Sequence, residues 1–495
     1  MYSTYSLSQK NKAFLAAASL GDLEALTALI TAGAKIEALD QYHDTALIIS
    51  AEKGHANIIK ALIQEQANLN AEDQYGKTAL MFACLNGHVE CAHLLIQAKA
   101  NLEILDNDGY TALSWAASNG HAEIIDLLIQ AGANLETVDR SHQTALMWAA
   151  SLGHTNVVAL LIKANASLNT FSQERKTALM WAASEGHTEI VQLFIQAKVD
   201  LNVKQQDGKT ALMWAASKGH TEAVMLLIKA GASLEDITWS HNTALLLAAS
   251  FGKAQAVDAL IQAKANVEAI DRSGRTALMA AAELNHFSTA KVLIQGGADL
   301  EAAYNGSGQN ALMRAAGFGC PPIVSLFIEA KANLEAVDHT NQSALMYASS
   351  RNHESSAFLL LNALSSERVN HLLNEPDLNP MIQSFMHTIL MAKSKTATVF
   401  IGMFSKKIKA NSFLGLPIEL RDKVLDYIFP TWLRNRAEIQ VDAMQELTRF
   451  FNNLSLLPPE PPQAVIFSAR AGRPSLLAAD ETSPNAAASP ARFDF

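Results

Sequence analysis

The sequence predicts an all-α solenoid of tandem helix-turn-helix repeats with β-turn fingers, followed by a small helical C-terminal domain. Three features point there. The triplet Thr-Ala-Leu begins at Thr45, Thr78, Thr111, Thr144, Thr177, Thr210, Thr243 and Thr276, each 33 residues after the last, and the register continues at Asn310 and Ser343. A fixed period of that length marks an array of one supersecondary unit. Within each period two short runs carry apolar residues at helical spacing, separated in most repeats by Gly-His. Turn-forming residues precede each triplet, which places a finger before each helix pair.

The unit over residues 106–133 shows how the elements follow. Asp106-Asn107-Asp108-Gly109 supplies the turn, with Gly109 free to take positive φ and Asp106 able to bond its own backbone. Thr111 caps the first helix, in which Ala112, Leu113, Ala116 and Ala117 let neighbouring inner helices approach closely. Gly120-His121 separates the pair. The outer helix, Glu123 to Gln130, sets Ile124, Leu127 and Leu128 on one stripe and ends at Gly132, which suits a left-handed C-cap. Extended along the chain, this register gives an N-terminal extension over 1–11 and eleven repeats over 12–364. One residue is inserted within Ala302–Gly308, which lengthens that turn and leaves the helices in step. Helices about 8 to 10 Å apart make a curved array roughly 100 Å long with a concave groove.

The Thr-x-Leu-x-x-Ala-Ala core at this period resembles the ankyrin-repeat family. Gly-His follows the first helix at His55, His88, His121, His154, His187 and His220, and Asp opens the turn at Asp40, Asp73, Asp106, Asp139, Asp271 and Asp338. The resemblance implies a protein-binding module. Two departures stand out. The family's Pro-Leu-His becomes Ala-Leu-Met, as at Ala145-Leu146-Met147, which removes the usual His bridge between turns. Its C-cap Gly is Lys at Lys99, Lys198, Lys264 and Lys331, where a left-handed L-residue costs about 1 kcal/mol. Stability along the array is therefore expected to be uneven.

The formal charge of -10 argues against nucleic acid as the main partner. Cys84, Cys91 and Cys320 show neither metal spacing nor a disulfide framework, which fits a reducing intracellular setting. Residues 1–12 lack the basic and apolar runs of a Sec-type signal peptide, and Ala397–Phe404 is too short to span a bilayer, so a soluble monomer is expected. Cys320 takes the ladder position between His286 and His353, but a repeat spacing near 10 Å exceeds the roughly 3 Å that a nucleophile and its base need. The sequence contains no Gly-rich phosphate loop, metal cluster or Gly-x-Ser-x-Gly elbow. A non-enzymatic role without cofactor or metal is the expectation.

Candidate binding residues lie on the inner helices and fingers. Trp115, Trp148, Trp181 and Trp214 occupy the position four after the capping Thr, with Phe82 before them and Leu247 after. Such an aromatic ladder either anchors a partner in the groove or fills space between thin Ala-rich helices. Glu185, Lys218 and Phe251 fall on the same helix face one turn later. In this stretch the turn-opening Asp is replaced by Ser172, Gln205 and Thr238, and the fingers present Glu174, Arg175, Lys176, Gln206, Asp207, Lys209 and Trp239. Local rules that fail in a block mark either a binding site or repeat drift. A partner footprint centred on repeats 5–8 is therefore expected. Glu37, Glu103, Glu136, Glu235, Glu268, Glu301 and Glu335 recur after the outer helices and read as a solvated edge, with Asn70, Asn169 and Asn202 at the same position.

Residues 365–456 read as a helical C-terminal domain and 457–495, rich in Pro, Ser and Ala, as a disordered tail. Lys393, Lys395, Lys406, Lys407 and Lys409 flank an apolar stretch, which fits a solvated hinge, an acidic partner or an anionic membrane surface. Segment 412–430 predicts an amphipathic helix. Its Leu416, Pro417, Glu419, Leu420, Val424 and Ile428 resemble the first half of an F-box, which implies docking to a cullin-type ubiquitin ligase. Pro430-Thr431-Trp432-Leu433 departs from the second half. An F-box-like end behind a uniform array, with a polar C-terminal tail, resembles host-directed ankyrin effectors of intracellular bacteria. That resemblance implies a secreted effector, injected into the host cytoplasm, that binds a eukaryotic protein in the groove.

Overall fold

The computed structural model describes residues 5–364. Among them, twenty-two helices and no β-strands form eleven antiparallel pairs, from Leu7–Leu20 with Leu23–Thr31 to Ala344–Ser350 with Glu354–Ala363. The first helix begins ahead of the expected start at 12, because Ser6 and Gln9 form a capping box that starts it at Leu7. Each later inner helix starts on the repeated Thr or its replacement. The hydroxyl of Thr144, for example, accepts the Met147 N–H at 3.3 Å, and Asn310 does the same for Met313 at 3.0 Å. Loss of such a cap costs about 1 kcal/mol.

Burial follows the repeat. The Ala-Leu start of every inner helix from Ala46 onward and the apolar stripe of each outer helix, such as Ile190, Val191 and Phe194, join one continuous core. Neighbouring inner helices pack more closely than neighbouring outer helices along most of the array, so it bends toward the inner side. The inner-helix face and the fingers thus border the groove.

Three hydrogen-bond systems tie each repeat to the next. The first is the Gly-His ladder: His220 Nε2 donates to the Ser184 carbonyl at 2.9 Å, and His55, His88, His121, His154, His187, His286 and His353 make the same bond one repeat back. These bonds bridge neighbouring inner-helix ends, a different place from the turn bridge that the Ala-Leu-Met variant lacks. The imidazole lies so close to the preceding glycine that a Cβ on Gly186 would meet His220 at 2.3 Å, and Gly186 has φ +78. Glycine is required there on both counts.

The second system runs along the Glu ladder, which is an exposed edge as expected and also links the repeats. The carboxylates of Glu37, Glu103, Glu136, Glu235, Glu268 and Glu301 accept a backbone N–H from the next repeat, as Glu235 does from Asn266 at 2.8 Å. Asn70 and Asn202 make the same link with their amide oxygens. The third runs along the fingers, where Asn107 donates to the Tyr75 carbonyl, Arg140 to Asp108 and Arg272 to Ser240. In the lengthened turn Gly308 bonds back to Tyr304, one residue further than Gly274 to Asp271. The helices on either side keep their register. The left-handed lysines are as expected, with φ between +57 and +70 at Lys99, Lys198, Lys264 and Lys331.

Candidate partner-binding surface

In an intact finger the opening Asp does two jobs. One oxygen of Asp106 accepts the N–H groups of Asp108 and Tyr110 at 3.0 and 2.8 Å, closing the turn. The other accepts Trp115 Nε1 at 3.0 Å. Asp139 repeats the arrangement, with Trp148 Nε1 at 2.9 Å. Each indole is therefore pinned to its own finger. Asp338 holds the Tyr347 hydroxyl in the same way. Burial alone would raise the Asp338 carboxyl, yet hydrogen bonds from Tyr347, Gln342 and Thr340 outweigh it and hold it down at about 2.

Repeats 6 to 8 break this rule, each differently. Ser172 closes its turn by accepting the Lys176 N–H at 3.2 Å, but a hydroxymethyl is too short to reach the ring, and Trp181 Nε1 is buried without a hydrogen-bond partner. Gln205 accepts from Trp214 Nε1 at 3.0 Å and spends its amide N–H on the Glu174 carbonyl at 2.8 Å. That side-chain bond stands where the neighbouring fingers use backbone, as Gln173 does to Ser141 and Trp239 to Asp207, and the Gln206 N–H makes no such link. Thr238 closes its turn on Asn242 at 3.1 Å, in a repeat where Leu247 replaces the indole.

The rings of Trp115, Trp148, Trp181, Trp214 and Phe82 are all half-buried. Phe82, Trp115, Trp181 and Trp214 pack against the core, and residues just before a capping Thr lean over several of the rings. Tyr110 stacks on Trp115 at 4.8 Å and tilts against Trp148 at 5.6 Å. Lys77 Nζ lies 4.3 Å from the Trp115 ring centre. Lys176 corrects an expectation: it does not face outward on its finger. Its ammonium sits 3.8 Å from the Trp181 ring centre and 4.2 Å from that of Trp214, paired with Glu174 at 3.1 Å, and its side chain is 8% exposed. Cation–π attraction to two rings, with a carboxylate alongside, draws it inward.

The other expected residues divide by exposure. Glu174, Arg175, Gln206 and Trp239 are exposed on the fingers, and Glu185, Lys218 and Phe251 are exposed at the inner-helix ends. Asp207 and Lys209 are half-buried and paired at 3.1 Å, with Lys209 over the Trp214 ring. Leu416, Pro417, Glu419, Leu420, Val424 and Ile428 lie outside the described residues, as do Lys393–Lys409 and the 457–495 tail.

Some surface features went unread in the sequence. Leu284 and Phe318 continue the Phe251 position into repeats 9 and 10 and are exposed. The register alone locates them, eight residues after Thr276 and Asn310. At the other end Asp44 has a buried carboxylate oxygen without a partner. Burial first, then the charges of Asp40, Asp73 and Glu52, push its carboxyl up to about 6. The cysteines carry no comparable chemistry: burial pushes the Cys84 and Cys320 thiols up, and Cys91 to about 11. Among the described residues no His, Cys, Asp and Glu cluster could hold a metal ion, and no helix is long and apolar enough to cross a membrane.

A family model described as ankyrin repeats (three copies) matches residues 14–106, 93–172, 164–238, 234–304 and 300–372. No curated protein matches the chain.

The indole bonds give a direct contrast. Trp148→Phe strands an Asp139 oxygen and is expected to cost about 1–2 kcal/mol in urea unfolding, whereas Trp181→Phe, whose donor is already orphaned, costs clearly less. Ser172→Asp supplies the missing acceptor and raises stability.

Asp44 gives a pH signature. Its folded pKa lies above the unfolded value, so its stabilising contribution is fully present below about pH 4 and is lost as pH rises through about 6. Asp44→Asn therefore stabilises the protein at pH 7, and that advantage shrinks at pH 5, as read from melting temperatures of both proteins.

Proposed function

The chain belongs to the ankyrin-repeat family, and from that premise we propose that it is a non-enzymatic scaffold holding a protein partner against the groove face of repeats 5–8. Ankyrin repeats mediate protein–protein binding. The observation that carries the assignment to this stretch is the half-exposed aromatic ladder Trp148, Trp181 and Trp214, in which the fingers of the last two have lost their opening Asp. The buried, unpartnered Trp181 Nε1 marks where the repeat rule was given up at a cost in stability. Exposed Glu185, Lys218 and Phe251 supply a charge of each sign and an aromatic anchor along the rim.

The finer reading is a bacterial effector that acts in the cytoplasm of a eukaryotic host and binds a host protein. It is supported by the uniformity of the array, the F-box-like segment and the polar tail. A second role follows from Leu416-Pro417-Ile418-Glu419-Leu420, in which the same chain recruits its target to a cullin-type ubiquitin ligase.

A photo-reactive benzoylphenylalanine at Glu185 or Lys218, compared with the outer-helix positions Gln192 or Glu222, tests the face. Incubated with eukaryotic lysate, the groove positions are expected to capture one shared protein that the outer positions do not. Capture confined to the outer positions contradicts the assignment. Cullin-ligase subunits that co-purify with the wild type and are lost from Leu416→Ala/Pro417→Ala, while the groove adduct persists, support the adaptor role.

A further inference from the structure

From the last repeat of the footprint onward, the inner-helix ends of repeats 8–10 share a property that the rest of the array lacks. Phe251, Leu284 and Phe318 occupy one equivalent position in consecutive repeats, and they are 58%, 49% and 49% exposed. The same position holds Lys53, Asn86, Asn119, Leu152, Glu185 and Lys218 in the preceding repeats, so three large apolar side chains in a row occur only here. A run of exposed apolar side chains at repeat spacing is the form a docking surface takes.

The charged groups that reach the Phe318 ring are guanidinium groups. Arg314 lies with its guanidinium 5.4 Å from the Phe318 ring centre, and Arg351 approaches the same ring from the next repeat at 5.7 Å. Arg272 is exposed on the ninth finger. The carboxylate on this face, Glu283, is already held by Arg314 and Arg275. Besides Glu283 and Asp271, finger and helix-end positions of repeats 8–10 carry no acid, on a chain whose net charge is -10. Asp271 and Asp338 are buried and engaged by their own turns.

We propose that the groove of repeats 8–11 binds an acidic peptide segment bearing large apolar side chains at a regular interval. This rests on the reading that the inner-helix face is the binding face, and deepens it by naming the chemistry of the partner. Neighbouring inner helices are about 8–10 Å apart, and a segment in the polyproline II conformation advances about 3.1 Å per residue with three residues per turn, so every third side chain falls on one face and comes into register with Phe251, Leu284 and Phe318 in turn. The carboxylates between them meet Arg272, Arg314 and Arg351. Phe318, at the end of the stripe, is flanked by two guanidinium groups.

The test uses the full chain and a fluorescein-labelled synthetic peptide of about fifteen residues with Phe at every third position among Glu and Ser. Two matched peptides replace Glu by Lys or Phe by Ser. Fluorescence anisotropy is expected to show the acidic Phe peptide binding about tenfold or more tightly than either control. Leu284→Ser/Phe318→Ser weakens it by a similar factor, and Arg351→Glu weakens it while flattening the salt dependence. These side chains are exposed, so circular dichroism should be unchanged. Absence of binding overturns the proposal, including the case in which another part of this chain already covers the stripe. So does equal binding of the Lys peptide or indifference to the substitutions. Should the double variant bind normally while a benzoylphenylalanine at Glu185 captures the peptide, the stripe fails and the groove reading stands. Capture only from Gln192 or Glu222 removes the groove reading as well.

Discussion

One repeat of this protein cannot bury its own apolar faces. Leu179 and Met180 on an inner helix and Ile190, Val191 and Phe194 on its outer partner are covered only because a neighbouring pair stacks on each side. Everything else depends on that junction. Full burial of each Leu, Ile or Phe contributes about 1.5–3 kcal/mol, so most of the stability resides between repeats and is additive along the stack. The polar links act on the same junctions. His Nε2, the ladder carboxylate and the finger N–H each satisfy a backbone group at the edge of the interface, and together they set how far one repeat is rotated on the last.

The working surface is what the stack leaves free. Inner helices begin on a small-residue face that lets them approach, which crowds that side and curves the array around it. Large rings at the position after Met then stand where the helices are thinnest. They fill the gap from one side and remain open on the other, so filling space and offering an anchor are one arrangement. Lys77, Tyr110 and Lys176 complete it by leaning over the rings from the residue before each Thr.

The repeat itself was legible in the sequence because its signals are local. Thr caps, Gly at the ends of inner helices and the apolar stripes involve residues within one or two turns, and the structure places each as the spacing requires. What stayed hidden depends on the neighbour's backbone. Glu235 looks like a solvated charge and nothing more until the N–H of Asn266 is placed above it. The bond from Trp115 to Asp106 spans nine residues across a finger, and only the folded turn brings the two together. Lys176 appears as a finger-tip charge, but its long stem reaches two rings of different repeats. Phe251, Leu284 and Phe318 were visible as residues, yet their common exposure depends on how the helix ends are stacked.

The array is expected to be loosest at the seventh finger, inside the proposed footprint, where Gln205 replaces the opening Asp and the backbone link to the sixth finger is missing. Native-state amide hydrogen exchange of the full chain, resolved by residue, tests it most directly. The Gln206 N–H, which has no link to the previous finger, should exchange fast, while Asn107, Arg140 and Arg272 at the equivalent position are protected by theirs. Protection that is uniform from the fourth finger to the ninth, with Gln206 as slow as Arg140, would contradict the account.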